Sequence, residues 1–293
     1  MGNFKGHILP GSFFIAFGIW WTINIWVNYF RAQDRKKKRP FQCRLIYPVA
    51  SNCTRLKCCH SGSICWEGIV KVVVTGIGIV GEFSYGYDAK LHYVHAGNAQ
   101  HITMFAAFGL TGVVDILLFH KVALPSKCDY MSVVLALVVE SILFKFHLHG
   151  RTMLNTHVHT LLLYTLYMTI PAVLAEMYFD KHVLAAFART FLFLLQGTWF
   201  FQAAFILFSP LPRALPWKQD SPHEVTLVTL FYTWHLGSLF VLMLCIGGIV
   251  GCCLRYRRRE RRNEDVEMQS LLSTDAANLT PECAEDFLSD GEI

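Results

Sequence analysis

The sequence predicts an all-α polytopic membrane protein, a seven-helix transmembrane bundle with an extracytoplasmic N-terminus and a cytoplasmic C-terminus. Apolar residues make up 54% of the 293 positions, and charged residues only 16%. The apolar residues fall into blocks of about 20, which is the length of a helix that crosses a hydrocarbon core of about 30 Å. Basic segments follow the first and the last of these blocks, and they set the predicted orientation.

The apolar blocks must be helical, because lipid offers no hydrogen-bond partner to backbone groups. The alternation with period two that is typical of a membrane β-barrel does not occur. The second block is the least hydrophobic, and it carries Glu67, Lys71 and Glu82 at or near its ends. The predicted spans are about 9–30, 67–84, 99–120, 130–149, 156–178, 184–208 and 227–250.

Lysine and arginine concentrate in cytoplasmic loops, which gives the direction of each span. The first span is followed by RAQDRKKKRP (31–40), and the last by CCLRYRRRERR (252–262). An even number of crossings joins these two cytoplasmic segments, so the total is odd, and seven spans satisfy this condition where six do not. We therefore predict a membrane domain over 1–255, with a basic, cysteine-rich cytoplasmic loop at about 31–66, and a disordered cytoplasmic tail over 256–293.

The basic runs flank spans, so we expect them to contact the lipid bilayer and its anionic headgroups, and we exclude nucleic-acid binding. Two N-x-T sequons, at Asn52 and Asn278, are predicted to be cytoplasmic and therefore unglycosylated. The first block is long enough to span the membrane and is followed by a basic stop, so we do not expect a separate cleavable signal peptide.

Ionisable side chains within spans are costly, and each of them marks a candidate site. The predicted topology brings polar groups of six helices to a similar depth, in the extracytoplasmic half of the bundle. The candidate metal ligands are His101, His147, His149, His159, His235 and Glu140. The other polar residues predicted to line the bundle are Glu82, Asp115, Gln196, Trp199 and Gln202.

Three interpretations of this polar cluster stay open. Neutral imidazoles and a carboxylate suit zinc, copper or iron, and paired histidines can also ligate haem. The same groups could relay protons, or they could only hold helices together by hydrogen bonds. Asp115 and Glu176 stand apart, and for both we expect a structural ion pair. The partners considered are Lys121, Lys145 and Arg189.

Cysteines and a leucine pair in the predicted cytoplasmic segments are candidate sites of lipidation and of sorting. Cys252 and Cys253 directly follow the last span, a position that suits S-palmitoylation. In the loop LKCCHSGSIC (56–65), acylation is favoured over zinc because the cysteine spacing is irregular. In the tail, Glu267 precedes Leu271 and Leu272 in the pattern that clathrin adaptors bind. This acidic dileucine motif predicts sorting to endosomal, lysosomal or trans-Golgi membranes, with some plasma-membrane location.

Several motifs in order resemble the transmembrane protein 45 family. They are MGNFKGHILPGSFF (1–14), HITMFAAFGLTGVVDIL (101–117), VVESILFKFHLHGRTML (138–154), VH (158–159), LLQGTWFFQ (194–202) and WH (234–235). The resemblance implies a seven-helix membrane protein and brings no established activity. By motif match, the family's polar positions are His101, Asp115, Glu140, His147, His149, His159, Gln196, Trp199, Gln202 and His235. The chain departs from the family pattern between about 31 and 98.

The leading hypothesis is a multi-pass protein of the endosome, lysosome or Golgi whose lumenal-side cluster binds a metal ion or responds to acid. One alternative is a non-catalytic membrane scaffold or trafficking protein in which the buried polar residues only pack helices. A second is a metal-dependent membrane hydrolase or a haem redox protein. No catalytic signature such as H-E-x-x-H occurs, so no enzymatic activity is assigned.

Overall fold

The computed structural model describes residues 4–33, 40–47, 49–50, 63–86, 96–148, 150–210 and 216–278. Its two-residue strands β1 (Val49–Ala50) and β2 (Ser63–Ile64) pair antiparallel. The helices in this part of the chain are α1 (Phe4–Ala32), α2 (Trp66–Tyr85), α3 (Ala96–Phe119), α4 (Cys128–Phe146), α5 (Met153–Tyr178), α6 (Val183–Phe208) and α7 (Pro222–Asn278). The all-α class is confirmed, and each predicted span coincides with one helix.

Six of the described helices, all except α4, are long and apolar enough to cross a membrane. The weak second span is among them. Helix α4 has 19 residues and carries Asp129, Glu140 and Lys145, which lowers its apolar character. It nevertheless packs between α3 and α5, and Glu140, in the middle of the helix, is buried there, whereas Lys145 at its end is exposed. Burial against protein is the usual way in which a span tolerates ionisable groups.

Contacts between helix ends show that successive helices run in alternating directions. Asn98, near the start of α3, donates its amide to the Glu82 carbonyl oxygen near the end of α2, at 3.1 Å. The Leu154 amide of α5 donates to the Gln219 carbonyl, just before α7, at 2.8 Å. We call this side, where α1 begins, the amino end of the bundle, and the other side the opposite end. The predicted topology places the amino end outside the cytoplasm.

Glycines allow the closest helix pairs, α1 with α6 and α2 with α3, to approach through their backbones. A Cβ atom on Gly197 would lie 2.8 Å from the Ile15 nitrogen. A Cβ on Gly112 would lie 2.8 Å from the Gly68 oxygen, and one on Gly68 would lie 2.9 Å from the Gly112 oxygen. Lipid tails supply no hydrophobic force between helices, so close packing at small residues is a main source of their association.

The chain divides into two compact units, Met1–Ile246 and Gly247–Ile293. In the second unit α7 continues to Asn278, so the prediction that the tail is disordered is wrong for 256–278. The segment is rich in arginine and glutamate and also carries Met268, Gln269, Leu271 and Leu272, all of them good helix formers. Arg261 and Asp265 also stand four apart, a spacing that supports an exposed helix. Residues 279–293 lie outside the described part.

Candidate functional site

Three helix ends meet in a half-exposed polar group at the amino end. His101 Nδ1 lies 3.1 Å from Glu82 Oε1, and Asn98 donates to Glu82 Oε2 at 2.7 Å. His147 Nδ1 lies 2.9 Å from Gln100 Oε1, and its ring centroid is 5.8 Å from that of His101. The side chains of His101 and Glu82 are 31% and 24% exposed. This amino-end polar group therefore joins α2, α3 and the end of α4, and it is open to solvent or lipid headgroups.

His159 belongs to a second, buried contact on the same side. Its Nε2 atom lies 3.5 Å from Nε2 of His7 on α1. Its other ring nitrogen, Nδ1, lies 2.8 Å from the Asn155 carbonyl oxygen, one turn earlier in α5. His7 was missing from the predicted site, although it lies near the start of a span that begins outside. The depth argument that selected the other histidines applies to it equally.

Glu140 faces Gln196 inside the bundle, where both side chains are buried. The Gln196 amide nitrogen lies 3.0 Å from one carboxylate oxygen of Glu140 and 3.1 Å from the other. Trp199, on the same stripe of α6, donates its indole N–H to the Val158 carbonyl at 2.9 Å. These contacts join α4, α5 and α6, as expected for polar residues that hold helices together in lipid.

His235 lies at a separate place, on α7. Its Nδ1 atom is 3.1 Å from the Thr198 hydroxyl oxygen. Together with Gln202 it lines an open surface pocket of about 390 Å³, to which Phe231, Trp234 and Ser238 also contribute. His235 is therefore held by α6 and turned toward this pocket.

The predicted metal ligands are thus distributed over four places. His101 and His147 are neighbours, whereas His159, Glu140 and His235 each have a different partner. Within the described residues no three histidine, cysteine, aspartate or glutamate side chains come together in a way that could hold a metal ion. The remaining predicted ligand, His149, lies outside the described residues. The geometry is one of hydrogen-bonded pairs at a shared depth.

A second polar layer, which the sequence reasoning did not assemble, lies at the opposite end. The Lys71 ammonium of α2 pairs with Asp115 Oδ2 of α3 at 2.6 Å, and Asp115 is 1% exposed. The ammonium also lies 5.7 Å from the Phe17 ring and 5.8 Å from the Trp21 ring. The predicted partners of Asp115 were wrong, because the positive charge beside it is that of Lys71 on α2, the helix that packs against α3.

Glu176 of α5 pairs with Arg189 of α6, one of the three predicted partners, and both side chains are fully buried. Arg189 Nε donates to Glu176 Oε2, and Nη2 donates to Oε1 at 3.3 Å. The Tyr130 hydroxyl donates to the same Oε1 at 3.3 Å. The guanidinium carbon lies 4.6 Å from the Trp21 ring centroid, so the cation also has an aromatic neighbour.

The segment 40–47 of the basic, cysteine-rich loop folds against this layer. Glu67 accepts hydrogen bonds from the indoles of Trp20 and Trp21, both at 2.9 Å, and from the Tyr47 amide at 2.7 Å. The Cys43 amide donates to the Asp180 carbonyl at 2.6 Å. Because Cys43 and Tyr47 are buried, this part of the loop is a structural component of the bundle.

Burial changes the acidity of both side chains in this segment. The pKa of the Cys43 thiol rises from its ordinary value of 9.0 to about 12, through desolvation and then through the negative charge of Glu176. The pKa of the Tyr47 hydroxyl is likewise raised, mainly by desolvation, with a partly opposing effect of Arg189. Both groups therefore stay protonated at neutral pH.

The second unit presents the predicted modification and sorting residues on its surface. Cys252 and Cys253 are exposed free thiols, and they line a hollow of about 320 Å³ with Tyr256 and Arg257.

Leu271 and Leu272 of the dileucine motif are also exposed, at 59% and 61%. The motif, with Glu267, lies on the helical segment that ends at Asn278. Both leucine side chains are therefore accessible on the surface of this unit.

Comparison with known proteins identifies a family model and several similar transmembrane proteins. Residues 126–247, from just before α4 into α7, match a family model described as "Family of unknown function (DUF716)". "Transmembrane epididymal protein 1A" of Mus musculus is 28% identical over 262 residues, which cover 86% of this chain and 81% of that protein. "Transmembrane epididymal protein 1" of Homo sapiens is 27% identical over 204 residues, or 66% and 73% of the two chains. The chain is a multi-pass membrane protein similar to these transmembrane proteins and, over its last four helices, to that uncharacterised family.

Proposed function

We propose that this protein resides in endosomal, lysosomal or Golgi membranes and that its amino-end polar group takes up protons from the lumen. The supporting observation is the partly exposed contact of 3.1 Å between His101 and Glu82, with the His147 ring 5.8 Å from that of His101. Imidazole is the side chain whose charge changes between about pH 5 and 8, the range over which these compartments acidify. The predicted orientation turns this group toward the lumen.

Protonation would change how the helix ends hold each other. A proton on His101 converts its hydrogen bond with Glu82 into a charge-assisted pair, which strengthens the joint between α2 and α3. The same charge repels a second proton on the nearby His147, so the group takes up one proton more readily than two. The neighbouring Asn98 and Gln100 are neutral, and they leave Glu82 as the anionic partner.

Hydrogen-exchange mass spectrometry of the protein in nanodiscs tests this proposal. We expect the peptides that cover 82–86, 96–101 and 147–151 to change their protection between pH 7.4 and pH 5.5, after correction for the intrinsic exchange rate. The change should be absent in His101→Gln. The control His223→Gln, which removes an exposed histidine from the first turn of α7, should retain it. An identical change in His101→Gln would refute proton uptake at this group.

We also propose that the tail sorts the protein through Glu267, Leu271 and Leu272. The exposure of both leucines supports recognition by clathrin adaptors, which need a carboxylate and two apolar side chains. Replacing Leu271 and Leu272 by alanine should move the protein from internal membranes to the cell surface. Surface biotinylation measures this shift, and an unchanged distribution would refute the sorting role.

Exposure also supports a finer proposal. We propose that Cys252 and Cys253 are S-palmitoylated, because both thiols are accessible immediately after the hydrophobic part of α7. Metabolic labelling with an alkyne palmitate should therefore be lost in the double serine variant. The motifs that resemble the transmembrane protein 45 family further support assignment of the chain to that group.

The second candidate function is a non-catalytic membrane scaffold or trafficking protein. The observation that favours it is that buried polar side chains pair with one another between helices, as Glu140 does with Gln196 and Glu176 with Arg189. In that case the hydrogen-exchange pattern around the amino-end polar group would be the same at both pH values. Among the described residues no three histidine, cysteine, aspartate or glutamate side chains come together to hold the metal ion that a hydrolase would need.

A further inference from the structure

We infer that His7 and His159 form a two-coordinate site for a soft monovalent metal cation, Cu(I). Their Nε2 atoms lie 3.5 Å apart, on two helices that are 152 residues distant in sequence. His7 is 8% exposed and His159 is 2% exposed, so the pair is enclosed. The inference is independent of proton uptake by Glu82 and His101, since it concerns a different pair of side chains.

The hydrogen bond behind His159 orients this ring as a metal ligand. A backbone carbonyl accepts but does not donate, so the 2.8 Å contact with the Asn155 oxygen places the ring proton of the neutral imidazole on Nδ1. Nε2 then keeps its lone pair, and it faces Nε2 of His7. Metal-ligating histidines commonly donate their other N–H to a carbonyl or carboxylate, which fixes the tautomer and the ring orientation.

The spacing of the two nitrogens fits a linear site after a small adjustment. Metal–nitrogen bonds of about 2.0 Å, placed in line, would separate the two nitrogens by about 4 Å. The present 3.5 Å is therefore about half an ångström short, which a small rotation of either side chain supplies. The two ring planes are inclined by 71°, so the rings do not stack.

The surroundings favour a monovalent ion over a divalent one. The ring centroids of Phe144, Phe200 and Phe208 lie 5.2–6.2 Å from those of the two imidazoles. The titratable and charged groups that act on His159 are His7, Arg151 and His147, all of them basic. In this apolar setting the free-energy cost of desolvating an ion rises with the square of its charge, and none of the groups that act on His159 is a carboxylate that could offset a second charge. Zinc would moreover require about four ligands.

The same packing excludes a haem between these two histidines. A porphyrin must extend on every side of the line that joins its two axial nitrogens. Around His7 and His159 that space is filled by Phe200, Phe208 and Phe144, whose ring centroids lie within 6.2 Å. A bare ion with two ligands is the species that this pair can accept.

Competition against bicinchoninate under argon tests the site. The full-length protein in detergent, its accessible thiols first blocked with N-ethylmaleimide, is titrated with the Cu(I)–bicinchoninate complex. We expect the wild type to withdraw one Cu(I) per chain, and His7→Gln and His159→Gln to bind at least tenfold more weakly. The control His223→Gln, with an exposed histidine replaced, should match the wild type. Size-exclusion profiles and thermal unfolding establish that each variant is folded.

Three results would overturn the inference. The first is a wild type that withdraws no Cu(I), and the second is a folded His7→Gln that binds it as tightly as the wild type. The third is Zn(II) that binds as strongly as Cu(I) and is lost in the same variants. Should both glutamine variants misfold, X-ray absorption of the copper-loaded wild type decides. Two nitrogen neighbours support the site, and sulfur or higher coordination refutes it.

Discussion

At the scale of single residues, each enclosed charge of the opposite end has a partner from another helix. Glu176 pairs with Arg189 and accepts a hydrogen bond from the Tyr130 hydroxyl, and Asp115 pairs with Lys71. The attraction within such a pair roughly offsets the free energy needed to desolvate its two ions, so the pair adds little net stability. Removing one member, however, leaves an isolated buried charge, which is strongly unfavourable.

We therefore expect Glu176→Gln to lower the free energy of unfolding by about 3–5 kcal/mol, because Arg189 would remain buried without its anion. The matched control is Lys127→Gln, which breaks the exposed pair with Asp180, where the two side chains are 42% and 37% exposed. That change should be worth about 0–1 kcal/mol. Unfolding by sodium dodecyl sulfate in mixed micelles measures both, and equal losses would contradict the buried-pair account.

The raised pKa of Cys43 predicts an inert thiol. A shift from 9.0 to about 12 lowers the reactive thiolate fraction near pH 8 by about a thousandfold. In protein produced without acylation, iodoacetamide should label the exposed Cys252 and Cys253 quickly and Cys43 only after denaturation. Mass spectrometry of the labelled peptides measures the rates, and fast native labelling of Cys43 would contradict its burial.

The residue scale is also where sequence reasoning was weakest. It identified the polar positions within spans, because a charge in an apolar block is conspicuous. It named Arg189 among the candidates for Glu176, but it missed Lys71 for Asp115 and omitted His7. Pairing depends on which face each helix turns to its neighbour, and a span assignment leaves that rotation open. Depth alone would nevertheless have placed Glu67, Lys71, Asp115, Glu176 and Arg189 at one end.

At the scale of the elements, the α2–α3 pair depends on backbone contact at Gly68 and Gly112. A methyl group on Gly68 would lie 2.9 Å from the Gly112 oxygen, so the helices would have to separate. The same helix carries Gly76, around which an added methyl group meets nothing within 4 Å. Two glycines of one helix therefore differ in their packing, which permits a matched comparison.

Gly68→Ala should destabilise the protein by about 1–3 kcal/mol through overpacking. Gly76→Ala should be neutral or slightly stabilising, because alanine is a better helix former than glycine. The two variants can be compared by thermal unfolding in the same detergent. A harmless Gly68→Ala would show that the close approach of α2 and α3 contributes nothing to stability.

Helix boundaries were the best-predicted feature, since the length of each apolar block is set by membrane thickness. The predicted 184–208 is observed as Val183–Phe208, and the predicted 156–178 as Met153–Tyr178. The exception is α7, which continues well beyond the apolar block to Asn278. Its extension depends on the helix propensity of polar residues, a weaker signal than hydrophobicity.

At the scale of the whole chain, the helices of the first unit, Met1–Ile246, alternate in direction, and this places the polar groups named below in two layers. The amino end holds His7, His101, His147 and His159, and the opposite end holds the buried ion pairs. Charge bias in the loops predicts that the first layer is extracytoplasmic. The layers follow from the fold, whereas the side of the membrane that each faces follows from that prediction.

Epitope tags at the two termini test the predicted orientation. In sealed cells an N-terminal tag should be accessible to antibody without permeabilisation, and a C-terminal tag only after it, because seven crossings separate the termini. Because neither Asn52 nor Asn278 should carry a glycan, glycosidase treatment should leave the electrophoretic mobility of the protein unchanged. Termini on the same side, or a glycan at either sequon, would overturn the topology and with it the lumenal position of the histidines.

The segment 40–47 has a mechanical consequence. Hydrogen bonds connect it through Tyr47 to α2 and through Cys43 to the turn between α5 and α6. It therefore links helices at the opposite end of the bundle. Helices tied in this way cannot spread apart there without breaking buried hydrogen bonds. We therefore expect the helices to separate more readily at the amino end, where the histidines lie, than at this braced end.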